Sequence, residues 1–172
     1  MNPHATGPTA DAAVAYLTAL HERLTADGCA VTLPQWNGRR VVAGRRADRK
    51  IRWFGTKAEL FVFATVVPEV DVAVLGEFAV WAALHAKGLR GGMPGARNAA
   101  LVLPALVSAR VRPEAARWAA QDARILDTTL INRPLTVETA PDAVRTTMYR
   151  GRVVWGGMFT GHVLEKAALY FP

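Results

Sequence analysis

The chain has 172 residues, 51% apolar and 20% charged, with a net charge of +7 and one cysteine. That length supports a single domain with its own hydrophobic core, without disulfides or metals. No apolar run reaches the roughly 20 residues of a membrane-spanning helix, no basic-then-apolar leader opens the chain, and Cys29 has no partner for an internal disulfide; the expectation is a cytoplasmic protein without membrane insertion.

Residues 1–9, with two prolines and a glycine, read as a frayed N-terminus, and residues 10–172 as one domain. A helix is predicted over about 10–27: Ala13, Leu17, Leu20 and Leu24 fall on one helical stripe, and Gly28 stands where a left-handed C-terminal residue is wanted. Residues 29–36 read as a strand with an edge-type proline at Pro34. Asn37-Gly38 is the signal of a type I′ turn, since both residue types tolerate positive φ. The chain returns through residues 39–44, and a further short strand is predicted at 50–54. A turn at 55–57 leads into the apolar strand 60–67.

Pro68 ends that strand, and Asp71 stands in the first turn of a second helix, where the helix dipole favours a carboxylate. Val74, Phe78, Trp81 and Leu84 or His85 mark its buried face to about Ala86. A glycine-rich basic loop at 87–98 follows, in which Gly88 reads as a helix cap. Next comes strand 99–107, where Pro104 predicts a bulge or an edge position. Pro113 suits the first turn of a third helix, expected to run to about Leu126. Strands at 135–138 and 146–149, a tight turn at Arg150-Gly151 into 152–155, and a last helix over about 160–170 complete the chain. The fold class is α+β: an N-terminal helix, an antiparallel meander, strand-helix-strand-helix, and a C-terminal hairpin plus helix, with the helices packed on a mixed sheet.

The chemistry-bearing residues are sparse. Ser108 is the one serine and lies outside any Gly-x-Ser-x-Gly elbow. The histidines (His4, His21, His85, His162) have no ligand spacing, so no metal and no cofactor is expected. Cys29 reads as a structural thiol. The order of elements resembles the restriction-endonuclease-like fold, which holds its metal with an Asp and, on the next strand, a Glu/Asp-x-Lys pair. Asp48 stands where the first would be, but Glu59 is followed at plus two by Phe61, and Lys57 precedes it. The resemblance therefore implies at most a catalytically degenerate member, and it is one of topology.

The +7 charge allows two readings. Arg can simply fill solvated positions in a chain from a GC-rich bacterial coding sequence, or it can attract an anion or nucleic acid. The candidates for the second are Arg39, Arg40, Arg45, Arg46, Arg49 and Arg52 in the meander, with Trp36, Trp53 and Phe54 interleaved, and Arg90 and Arg97 in the glycine-rich loop. The loop lacks Gly-Lys-Ser/Thr, and its place after a helix and before a strand is the wrong order for a dinucleotide fingerprint.

Residues 106–119 and 149–157, with Val67-Pro68 and the loop at 87–95, resemble small prokaryotic α+β domains with no assigned activity. That likeness implies no transferable catalytic residue. The expectation is an uncharacterised, non-enzymatic binding or accessory domain, with self-association as one outcome. The alternatives are a nucleic-acid-binding protein and an enzyme acting on a small anionic substrate.

Overall fold

The computed structural model describes residues 8–90, 98–127, 130–153 and 156–172. Its centre is an eight-stranded mixed sheet. Helix α1 (Pro8–Ala26) leads into β1 (Ala30–Thr32), the small hairpin β2 (Gln35–Trp36) and β3 (Arg39–Arg40), and β4 (Val42–Arg49). A 3-10 turn (Ile51–Trp53) connects to β5 (Lys57–Val66), followed by α2 (Val72–Leu89), β6 (Asn98–Ser108) and α3 (Pro113–Gln121). Then come β7 (Arg124–Asp127), β8 (Leu130–Asn132), β9 (Leu135–Ala140) and β10 (Ala143–Met148), a second 3-10 turn (Gly157–Phe159), and α4 (Thr160–Tyr170). The expected α+β class, with helices packed on a mixed sheet, is the observed one.

β1, β4 and β5 pair antiparallel, and β5 pairs parallel with β6 across the α2 crossover. Both faces of the sheet are covered, which is why β5 and β6 are continuous apolar runs and not alternating ones. Leu60, Val62, Leu101, Leu103 and Val107 pack with Leu20 and Leu24 of α1 and Val163 and Ala167 of α4. Phe61, Phe63, Val102 and Leu106 pack with Leu75, Phe78, Ala82 and Ala86 of α2 and Ala115 and Ala119 of α3. By length and composition α2 is apolar enough to cross a membrane, yet the face carrying Phe78 and Ala82 is fully buried against the sheet, as in a core helix.

Several local expectations are corrected. Residues 50–54 do not form a strand: Ile51–Trp53 is the 3-10 connection that reverses β4 into β5, and Phe54 leaves it at φ 50°. Reversal with a buried anchor is what this stretch must supply, so Trp53 is fully buried while Ile51 is fully exposed. Gly88 is not a cap, because α2 runs on to Leu89 and ends at Arg90 with φ −63°. Pro104 sits in a central strand, not at an edge. β8 pairs with Ala100–Val102 and β9 with Ala105–Ser108, so the two lie end to end along one flank of β6. The Arg133 amide bonds the Val102 carbonyl, and Pro104 faces that same flank two residues on, in the gap between β8 and β9, where no donor is needed. The third helix stops at Gln121, and β7 and β8 follow it; Arg-Ile-Leu after an Ala/Trp stripe reads alike as helix or strand over so short a window. The hairpin β9–β10 turns at residues 141–142, and Arg152 and Val153 form no strand. Residues 91–97 of the loop and residues 154–155 lie outside the described residues.

The Asn37-Gly38 turn behaves as read, and Asp71, expected in the first turn of α2, is its N-cap. Asn37 and Gly38 have φ of 48° and 73°, closing β2–β3. Asp71 caps α2, its carboxylate accepting from the Val74 amide at 2.8 Å, a contact worth about 1 kcal/mol. Helix α1 and the sheet approach closely at Gly44, where an added Cβ would lie 2.9 Å and 3.0 Å from the two methyls of the fully buried Leu24. Gly44→Ala is therefore expected to lower stability by about 1–3 kcal/mol, read as a shifted denaturant midpoint at unchanged slope.

Candidate functional site

The register of β4 on β5 decides what the meander's charges do. Arg45 and Glu59 are diagonal neighbours on the α2 face, bonded at 2.7 Å, and Lys57 reaches the same carboxylate at 2.9 Å. Glu59 is completely buried. Burial alone would raise its pKa, but hydrogen bonds from Lys57 and Arg45 outweigh this and hold it below the usual carboxylate range. Arg46 and Asp48 lie on the opposite face. Asp48 and Glu59 thus point away from each other across the sheet and cannot share a metal ion. No metal-ligating cluster exists among the described residues.

On the α1–α4 face, Arg46 makes a bidentate pair with Asp48, both bonds 2.7 Å, and also donates to Asp27 at the end of α1. His162, Lys166 and Tyr170 of α4 recur every four residues, so one stripe of the helix meets this pair. Lys166 reaches both Asp27 oxygens at 2.9 and 2.7 Å, and the Tyr170 hydroxyl donates to the same carboxylate. His162 Nε2 lies 3.1 Å from Asp48. Burial lowers the His162 pKa, with Lys50 adding to it against the pull of Asp48; the ring is neutral and donates from Nε2. Burial also raises the Cys29 thiol, which sits 3.4 Å from the Tyr170 hydroxyl, so it is a protonated, structural thiol.

For Asp27, burial acts to raise the pKa, but Lys166, Tyr170 and Arg46 bring it down to about 2. A depressed Asp contributes stability above its unfolded value, lost as pH falls through the folded one. The lowered His162 acts in the same sense, since the unfolded chain takes up that proton first. Acidification from neutrality to about pH 2 is expected to destabilise the fold progressively, and Asp27→Asn is expected to flatten the acid limb of a plot of denaturant midpoint against pH.

The remaining arginines fall into two places. Arg39 and Arg40, in the β2–β3 hairpin, are at one end of β4. Arg49 and Arg52 are at the other, roughly 25 Å away at the rise of an extended strand. Arg90, at the end of α2, shares the second end and donates to the Asn98 carbonyl at the start of β6. Arg97 lies outside the described residues. Arg52 joins Arg150 and Arg152 around a cavity of about 520 Å³, walled also by Gly157, Met158, Thr160, Gly161 and Leu164 at the start of α4. Among the described residues no carboxylate bonds these three guanidinium groups.

Each wall has a buried anchor. Trp53 plugs the 3-10 turn into the core, edge-on to Phe159 at 5.1 Å and to His162 at 5.0 Å. Arg133 is only 2% exposed. Among the described residues no carboxylate bonds it; it donates to the carbonyls of Tyr149 and Gly151 at 3.0 and 2.9 Å, bracketing Arg150. The Tyr149 hydroxyl turns back to the Arg152 carbonyl. Gly156, at φ 77°, starts the helical run without a side-chain cap, so the first amides at Gly157 and Met158 have no intrahelical acceptor. Such an end favours an anion. Arg150 and Arg152 form a third basic stretch in the sequence, read there as part of a strand turn and not as site residues; of the meander arginines only Arg52 joins them at the cavity.

No family model, no curated protein and no solved structure matches the chain. A Cβ at Gly151 would overlap the Tyr149 hydroxyl and ring. Gly151→Ala is accordingly expected to cost about 1–3 kcal/mol in denaturant unfolding, and to uncouple the Arg150–Arg152 segment from Arg133.

Proposed function

We propose that this protein is a non-enzymatic binding domain for phosphate-bearing anions, with nucleic acid as the ligand class. The observation that carries this is the cavity of Arg52, Arg150 and Arg152 at the uncapped start of the α4 helical run. Three guanidinium groups without a bonded carboxylate concentrate positive potential where amides also face an anion. Arg49, three residues before Arg52 in the chain, adds positive charge at this end of β4.

The non-enzymatic part rests on commitment. The groups suited to acid–base work (Asp27, Asp48, His162, Lys166 and Tyr170) bond one another. The opposed placement of Asp48 and Glu59 supports the same reading of any nuclease-like ancestry: binding without cutting.

A short labelled single strand is expected to bind at low salt, with affinity falling steeply as salt rises. Arg52→Gln, Arg150→Gln and Arg152→Gln should each weaken it and reduce the salt slope by about 0.7, measured by fluorescence anisotropy. Arg45→Gln and Arg46→Gln, whose charges are already paired, should act on stability instead. Negligible binding at low salt, or three cavity variants indistinguishable from the parent, would rule the reading out.

A further inference from the structure

We infer that the arginine cavity receives a single nucleotide as its phosphomonoester, the phosphate on the arginine side and the base against the α4 face. This rests on the proposed anion-binding reading and narrows it to one chemistry: a nucleoside phosphomonoester, from a free mononucleotide or from the phosphorylated end of a strand.

Size is the first support. A cavity of about 520 Å³ falls within the roughly 300–1,000 Å³ of small-molecule sites, and a phosphate alone would leave most of it vacant. The second is the shape of the helical wall. Gly157, Thr160, Gly161 and Leu164 stand at i, i+3, i+4 and i+7, one face of the helical run. Two of the four lack side chains, so a flat ring can approach the backbone between them, with Leu164 and the half-exposed Met158 as apolar contacts. A Cβ at Gly157 or Gly161 meets nothing within 4 Å, so close internal packing does not require glycine at either. The third is charge. A phosphomonoester carries about −1.5 to −2 at neutral pH and an internal diester only one charge, so three guanidinium groups with helix-end amides suit the monoester better.

The test uses the full chain at fixed low salt. One oligonucleotide is compared with its 5′- and 3′-phosphorylated forms, with a nucleoside monophosphate, inorganic phosphate and a phosphotyrosine peptide as competitors. A terminal phosphate is expected to tighten binding about tenfold or more, as for charge-assisted contacts, and the mononucleotide should compete far better than inorganic phosphate. Gly161→Leu projects into open space and should keep the fold by circular dichroism. It should abolish the phosphate preference while weak, salt-sensitive strand binding remains; Arg40→Gln, at the far end of β4, should change nothing. A mononucleotide that binds as tightly as the strand end supports the inference with the free nucleotide as ligand. Equal affinity with and without the terminal phosphate overturns the inference and leaves strand binding standing. Inorganic phosphate or the phosphotyrosine peptide competing as well as the nucleotide overturns the nucleotide assignment. Absence of binding by every ligand removes the anion-binding reading as well.

Discussion

The carboxylate of Asp27 is the point on which the rest of the molecule turns. It ends α1, receives Arg46 from β4, and receives Lys166 and Tyr170 from α4. Three elements distant in sequence are thereby tied by charge-assisted bonds at the sheet's edge, in a partly dry setting where such bonds are stronger than in water. Arg46 extends the tie to Asp48 and so to His162, which packs on Trp53. The docking of α4 fixes where its first turn lies, and Trp53 fixes the turn that carries Arg52. The polar network and the arginine cavity are two ends of one arrangement: the first holds α4, and the second uses its start.

The arginines divide by whether folding consumes their charge. Arg45 shares the buried Glu59 with Lys57, and Arg46 shares Asp27 with Lys166 while pairing with Asp48; removing either arginine would weaken the compensation of a poorly solvated carboxylate. Arg133 is engaged differently, its two terminal nitrogens donating to carbonyl oxygens on either side of Arg150. Arg52, Arg150 and Arg152 line one cavity, and among the described residues no carboxylate bonds their guanidinium groups. Net charge alone cannot separate these groups, because it counts all of them equally.

Much of the fold was legible in the residues. The α1 stripe, the Asn37-Gly38 turn, the Asp71 cap, the crossover to β6 and the last helix follow from local periodicity and turn chemistry. The failures are equally specific. Residues 50–54 alternate like a strand because Trp53 needs the core and its neighbours do not, and that pattern suits a buried-anchor turn as well. Pro104 reads as an edge residue until β8 and β9 are seen to share one flank of β6. His162, Lys166 and Tyr170 are spaced at four and visible as a stripe, yet nothing local says that Asp27 and Asp48 wait opposite.

By itself the sequence determined the fold class, the helices α1 to α4 and the apolar strands β5 and β6, since these depend on apolar spacing and on residues within a few positions of each other. Only the tertiary structure decided which charges are spent and which remain. Pairing of Arg46 with Asp27, and convergence of Arg52 with Arg150 and Arg152, depend on strand register and helix docking across about 20 to 100 intervening residues. Electrostatic partnership is set by distance in space, and a charge run in sequence carries no record of its partners.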